Sequence, residues 1–144
     1  MNVQSILGGK GVEVATIAQT ATLTEAVGEL GRRRIGALVV SGDGRAIEGI
    51  ISERDIVRAT AAGGADALGA TVGSAMSNDV VTCCAGDGVD QLMSLMTERR
   101  IRHLPVVDDD GNLAGIVSIG DVVKARLTAL EHENHALSRY ISGH

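Results

Sequence analysis

The chain has no tryptophan, no phenylalanine and one tyrosine, Tyr140. That removes the aromatic platforms on which proteins stack unpaired bases. A basic excess is missing as well. With 13 Lys and Arg against 18 Asp and Glu the net charge is −5, which argues against a nucleic-acid partner. The local clusters Arg32-Arg33-Arg34 and Arg99, Arg100 and Arg102 read as basic helix ends facing solvent. No apolar run approaches the roughly 18 residues of a membrane span, so no membrane partner is expected. The N-terminus lacks the basic-then-apolar order of a signal peptide, and the expected location is the cytoplasm. The only two cysteines, Cys83 and Cys84, are adjacent. They form neither a C-x-x-C pair nor a spaced disulfide framework, and they read as small buried filler in a strand. There is no Walker motif, no H-E-x-x-H and no pair of carboxylates matched to a metal. No metal site and no catalysis are expected. His132 and His135, with Glu131 and Glu133 beside them, read as a solvated helix face.

What the chain does have is a duplication. Gly49-Ile50-Ile51-Ser52-Glu53-Arg54-Asp55-Ile56-Val57 returns as Gly115-Ile116-Val117-Ser118-Ile119-Gly120-Asp121-Val122-Val123, every matched position 66 residues further on. Each copy reads as a short buried strand that passes through a Ser into a helix. A helix start offers unpaired N–H groups to an anion such as phosphate. An Asp one turn in suits a ribose diol, accepting from both hydroxyls. The same Ser-x-x-Asp spacing is also a capping-box pattern, and the two roles are compatible.

The rest of the chain follows the same duplication. Val3, Ile6 and Leu7 predict a short helix, repeated in spacing by Val72, Ala75 and Met76, and Gly8-Gly9-Lys10-Gly11 reads as a loop. Val14–Ile17 reads as a strand. Thr22-Leu23-Thr24-Glu25 is a capping box ahead of a helix with Leu23, Ala26, Val27 and Leu30 on one face. Strands are expected at Ile35–Val40 and Ile47–Ile51, with the turn Ser41–Gly44 between them, and a helix from Ser52 to about Thr60. Gly63-Gly64-Ala65-Asp66 reads as the linker. The second half gives strands at Val80–Cys83, Ile101–Val107 and Leu113–Val117. Its helix after Asp87 carries Val89, Leu92, Met93 and Met96. Each half is thus β-α-β-β-α, in an α/β (α+β) fold whose halves pack about a pseudo-twofold axis. The expected division is residues 1–66, 67–126 and a helical extension at 127–144. In the extension Val123, Leu127, Leu130, Leu137 and Ile141 form a stripe with Asn134 in its seam. That stripe suits packing on the body or pairing with a second copy.

Taken together and in order, these segments resemble a tandem pair of CBS domains, or Bateman module, of the free-standing bacterial kind. The carrying text is Arg34-Ile35-Gly36-Ala37-Leu38-Val39-Val40 with the Gly49 motif, then Arg100-Ile101-Arg102-His103-Leu104-Pro105-Val106-Val107 with the Gly115 motif. The resemblance implies a regulatory module, without catalysis or an obligatory cofactor, binding AMP, ADP or ATP between the repeats. NAD(H) or S-adenosylmethionine are alternative ligands. It also implies roles: Asp55 and Asp121 on the ribose, Ser52 and Ser118 near phosphate, Thr16 and Thr82 bordering adenine. Arg102 and His103 fall where related modules contact phosphate, and Arg54 is a further donor. Gly36 and Ala37 stand at the places of Arg102 and His103 in the first half, so the two clefts are expected to differ. A homodimer and an unidentified effector protein are the implied partners. A purely structural dimeriser and a small nucleotide-processing enzyme are the competing readings.

Overall fold

The computed structural model of the chain describes residues 1–142, so the last two residues of the C-terminal extension lie outside it. The first half runs α1 (Val3–Lys10), β1 (Thr16–Ile17), α2 (Leu23–Arg33), β2 (Ala37–Val40), β3 (Gly49–Ser52) and α3 (Glu53–Gly63). A 3-10 turn at Gly64–Gly69 leads to the second: α4 (Val72–Ala75), β4 (Cys83–Cys84), α5 (Val89–Arg99), β5 (His103–Val107), β6 (Leu113–Ser118) and α6 (Ile119–Ser142). In each half the first strand pairs parallel to the second, which pairs antiparallel to the third. The expected duplicated α/β architecture is present, with the long C-terminal helix.

Local chemistry repeats as well. The Thr22 box closes in both directions, with Glu25 N–H on Thr22 Oγ1 and Thr22 N–H on Glu25 Oε2, each at 3.2 Å. Gly88 holds the same place before α5. It has no side chain, so only the return bond survives, from Gly88 N–H to Gln91 Oε1 at 2.8 Å. Both helices end on an arginine in the left-handed region, Arg34 at φ 55° and Arg100 at φ 54°. Arg32 and Arg33 are exposed in the last turn of α2 and pair with Glu29, as basic helix ends should.

The two hydrophobic cores exchange their first helices. Val3 and Leu7 of α1 are buried with Val89, Leu92, Met96, Leu104, Val117 and Val122 of the second repeat. Val72 of α4 is buried with Leu23, Ala26, Leu30, Leu38, Ile51 and Ile56 of the first. Backbone bonds fix both crossings: Val3 N–H to Asp87 O at 3.0 Å, and Val72 N–H to Ala21 O at 2.7 Å. Each repeat therefore completes its core with a segment that precedes the other in sequence.

Several expectations change in detail. Gly8, Gly9 and Lys10 form the last turn of α1 and not a loop, because Leu7, Val3 and the Asn2 cap anchor the helix despite poor propensity. The first strand of each half shortens to two paired residues, leaving Thr82 just before β4. Regular pairing in the other strands starts at Ala37, Gly49 and His103. The glycine-rich segment at 63–66 is helical, not a loose linker. Leu68, just beyond it, packs on the first core. Cys83 is buried as expected, whereas Cys84 is exposed. Val27 is exposed on α2.

Candidate functional site

Both Ser-x-x-Asp segments do what the spacing dictates. Ser52 caps α3: its N–H and hydroxyl donate to Asp55 Oδ2 at 2.9 and 3.0 Å, and Asp55 N–H donates to Ser52 Oγ at 3.3 Å. Ser118 caps α6 in the same way, with its N–H on Asp121 Oδ2 at 2.9 Å and Asp121 N–H on its hydroxyl at 3.2 Å. Both carboxylates are half-buried. Each spends one oxygen on the cap, and its Oδ1 accepts no bond from a described residue. The capping reading is thus present at both sites. It leaves a face of each carboxylate for a diol.

The two sites differ in what surrounds them. Lys10 Nζ sits 2.6 Å from Asp121 Oδ2 and 3.1 Å from Ile116 O. This contact spans 111 residues of sequence and follows from the helix exchange: Leu7 packs on Gly115, and the next turn of α1 brings Lys10 to the neighbouring carbonyl. Burial would raise the Asp121 carboxyl, but the Lys10 hydrogen bond, the Ser118 N–H and the Lys10 charge together hold it below its ordinary value. Asp55 has no such cation. Its side-chain and cap bonds among the described residues all run to Ser52.

His103 lies at the junction of the repeats. A Cβ on Gly36 would come within 3.0 Å of its Cε1 and 3.2 Å of its Nε2, so glycine there is what admits the ring. Burial pulls the imidazole below its ordinary value, and the charges of Glu53, Lys10, Asp121 and Arg102 all reach it. Of the two motif aspartates, Asp121 is the one whose charge reaches His103, while the ring itself sits against Gly36 of the first repeat. The Gly36 and Arg102 difference between halves therefore has a steric side as well as an electrostatic one.

The remaining expected site residues fall less close. Arg54 Nη1 donates to Arg100 O at 3.4 Å, reaching across to the end of α5. Thr16 and Thr82 are exposed, the first in β1 and the second just ahead of β4. The Cys83 thiol is pushed up to about 12 by burial and by the charges of Asp87 and Cys84, out of nucleophile range. His132 and His135 are exposed on α6. Among the described residues no three or more His, Cys, Asp or Glu gather as metal ligands, and no helix is long and apolar enough to cross a membrane. Two open grooves are lined by neither aspartate, although each borders a motif helix. One of about 550 Å³ is lined by Val27, Leu30, Ile35, Ile56 and Val57. The other, about 470 Å³, runs along α6 past Ile119, Val123 and Leu127. Sequence reading missed Lys10. Its only signal was a Gly-Lys pair with the wrong spacing for a phosphate loop, and nothing local tied it to residue 121.

The comparisons with known proteins agree with one another. A sequence profile for the CBS domain matches residues 10–62 and 72–128. A mitochondrial CBS domain-containing protein of Arabidopsis thaliana is 40% identical over 126 residues, which cover 85% of this chain and 61% of that protein's length. The crystal structure of a CBS-domain containing protein from Agrobacterium tumefaciens is similar at a TM-score of 0.84 and 45% identity, over 88% of this chain and 99% of that one. A CBS domain protein from Pyrobaculum aerophilum complexed with AMP matches at 0.74 and 28% identity, over 84% and 89% of the two chains. The CBS domain pair of protein MJ0100, complexed with 5′-methylthioadenosine and S-adenosyl-L-methionine, matches at 0.77 and 27%, over 91% and 98%.

Proposed function

This chain belongs to the CBS-domain family, and from that premise we propose that it is a non-catalytic sensor of adenine nucleotides. It takes AMP, ADP or ATP between its repeats and passes the change in packing to an effector protein in the cytoplasm. The working units are the repeats at 1–66 and 67–126, with the C-terminal extension at 127–144 as the output segment. The observation that carries this reading is the second Ser-x-x-Asp helix start, where Asp121 lies with Lys10 and His103 around it. Such a set offers a carboxylate to a sugar diol, and an ammonium with an imidazole beside it to a phosphate. The AMP held by the Pyrobaculum relative supports the ligand class. The apolar grooves on the outer helices, with Val27, Val57, Val123 and Leu127 exposed beside them, support a homodimer. S-adenosylmethionine or methylthioadenosine is the second reading, supported by the ligands of the MJ0100 pair.

The test is a thermal shift with AMP and ATP. A ligand at about 100 times its dissociation constant adds roughly 2.7 kcal/mol, so the melting temperature should rise by several degrees. Asp55→Ala and Asp121→Ala should each reduce the rise, and the double variant should lose it while still melting cooperatively. A full shift in the double variant would refute the assignment of these aspartates.

A further inference from the structure

Resting on the adenosine-binding reading of the Asp121 cleft, we infer that Lys10 sets the ligand class there. It favours adenosine ligands that carry a phosphate over neutral or cationic ones.

Asp121 Oδ2 already accepts from Ser118 N–H and from Lys10. The side chains of Lys10 and Asp121 are 33% and 24% exposed, so the carboxylate is half-buried while the lysine lies at its solvent edge. Asp121 Oδ1 is open to one hydroxyl, but a diol that takes both carboxylate oxygens competes with the ammonium at Oδ2 and leaves Lys10 without its anion. Lys10 is the last residue of α1. Its stem therefore swings without breaking the helix, while Val3 and Leu7 stay buried. A nucleotide compensates both partners, because the sugar presenting its diol to Asp121 also bears a phosphate within a lysine's reach. Adenosine and methylthioadenosine satisfy the carboxylate and leave the ammonium bare. S-adenosylmethionine is worse placed, since its sulfonium adds a positive charge near Lys10.

The first repeat has no counterpart. The spacing that maps Leu7 onto Met76, each packed on its motif glycine, maps Lys10 onto Asp79. The helix there also stops earlier, at Ala75. The phosphate preference therefore belongs to the Asp121 cleft alone.

Calorimetry on the full chain carrying Asp55→Ala isolates this cleft, with AMP, adenosine and S-adenosylmethionine as the probes. AMP should bind on the order of tenfold or more tighter than adenosine, the scale of one charge-assisted hydrogen bond. Adding Lys10→Met should collapse that ratio by weakening AMP and tightening adenosine, and Lys10→Arg should restore most of it. If AMP and adenosine bind and Asp121→Ala abolishes both, yet Lys10→Met leaves their ratio unchanged, this inference fails and the cleft reading survives. If none of the three ligands binds the parent chain, both fail.

Discussion

Gly49 and Gly115 begin the duplicated motif, and each is glycine because a side chain from the exchanged helix region sits where a Cβ would be. At Gly49 that Cβ would come within 2.6 Å of Met76 Sδ and 2.9 Å of the Ser77 carbonyl. At Gly115 it would meet only the tip of Leu7, at 2.9 Å. A thioether or a leucine methyl moves aside, whereas Ser77 is bonded to Ile50 in both directions and its carbonyl does not. Gly49→Ala should therefore cost about 1–3 kcal/mol, as overpacking does, and Gly115→Ala clearly less. Urea denaturation of both variants checks this, and equal losses would contradict it. The glycines were legible as a repeated pattern, but their cause was not. The groups that crowd them lie at positions 7 and 76, across the exchange. The aspartates show the same division: Ser-x-x-Asp spacing announced a cap and a carboxylate, while Lys10 beside only one of them was beyond any local signal.

At the level of elements, α6 carries two different faces. Val122 and Ala125 are buried in the second core, while Leu130, Leu137 and Ile141 are 39%, 59% and 66% exposed. At 3.6 residues per turn the stripe from Val123 to Ile141 lies roughly a third of a turn from the buried face, so the body does not cover it. Its 4-3-4-3-4 spacing through Asn134 is a coiled-coil seam with a polar residue suited to fixing register. The wild-type chain should sediment as a pair of copies through this helix, and Leu130→Glu with Leu137→Glu should give single chains that still melt cooperatively. A pair that persists in that variant would assign dimerisation to another surface. The periodicity of the stripe was plain in the sequence. Which of two partners it served was not, since that depends on which side of the helix the body occupies.

For the molecule as a whole, the exchange of α1 and α4 decides what is a folding unit. The duplication was fully legible, and it invited a division into two consecutive halves. The cores follow a different partition, because Val3 and Leu7 lie in the second and Val72 in the first. A fragment ending at residue 69 lacks the Val72 segment, and one starting at residue 70 lacks Val3 and Leu7. Large apolar groups removed from a core cost several kcal/mol each. Each fragment alone should be unfolded by circular dichroism, and the two co-expressed should recover the native spectrum as a complex. Native folding of either fragment by itself would mean that the crossings contribute little.

Helix α6 is a single uninterrupted piece of 24 residues with Asp121 in its first turn. At 1.5 Å per residue it is about 36 Å long. A tilt of about 5° where a sugar meets the carboxylate would carry the far end through about 3 Å. A rod of this kind magnifies a small event at its hinge into a movement large enough for a neighbouring protein to register.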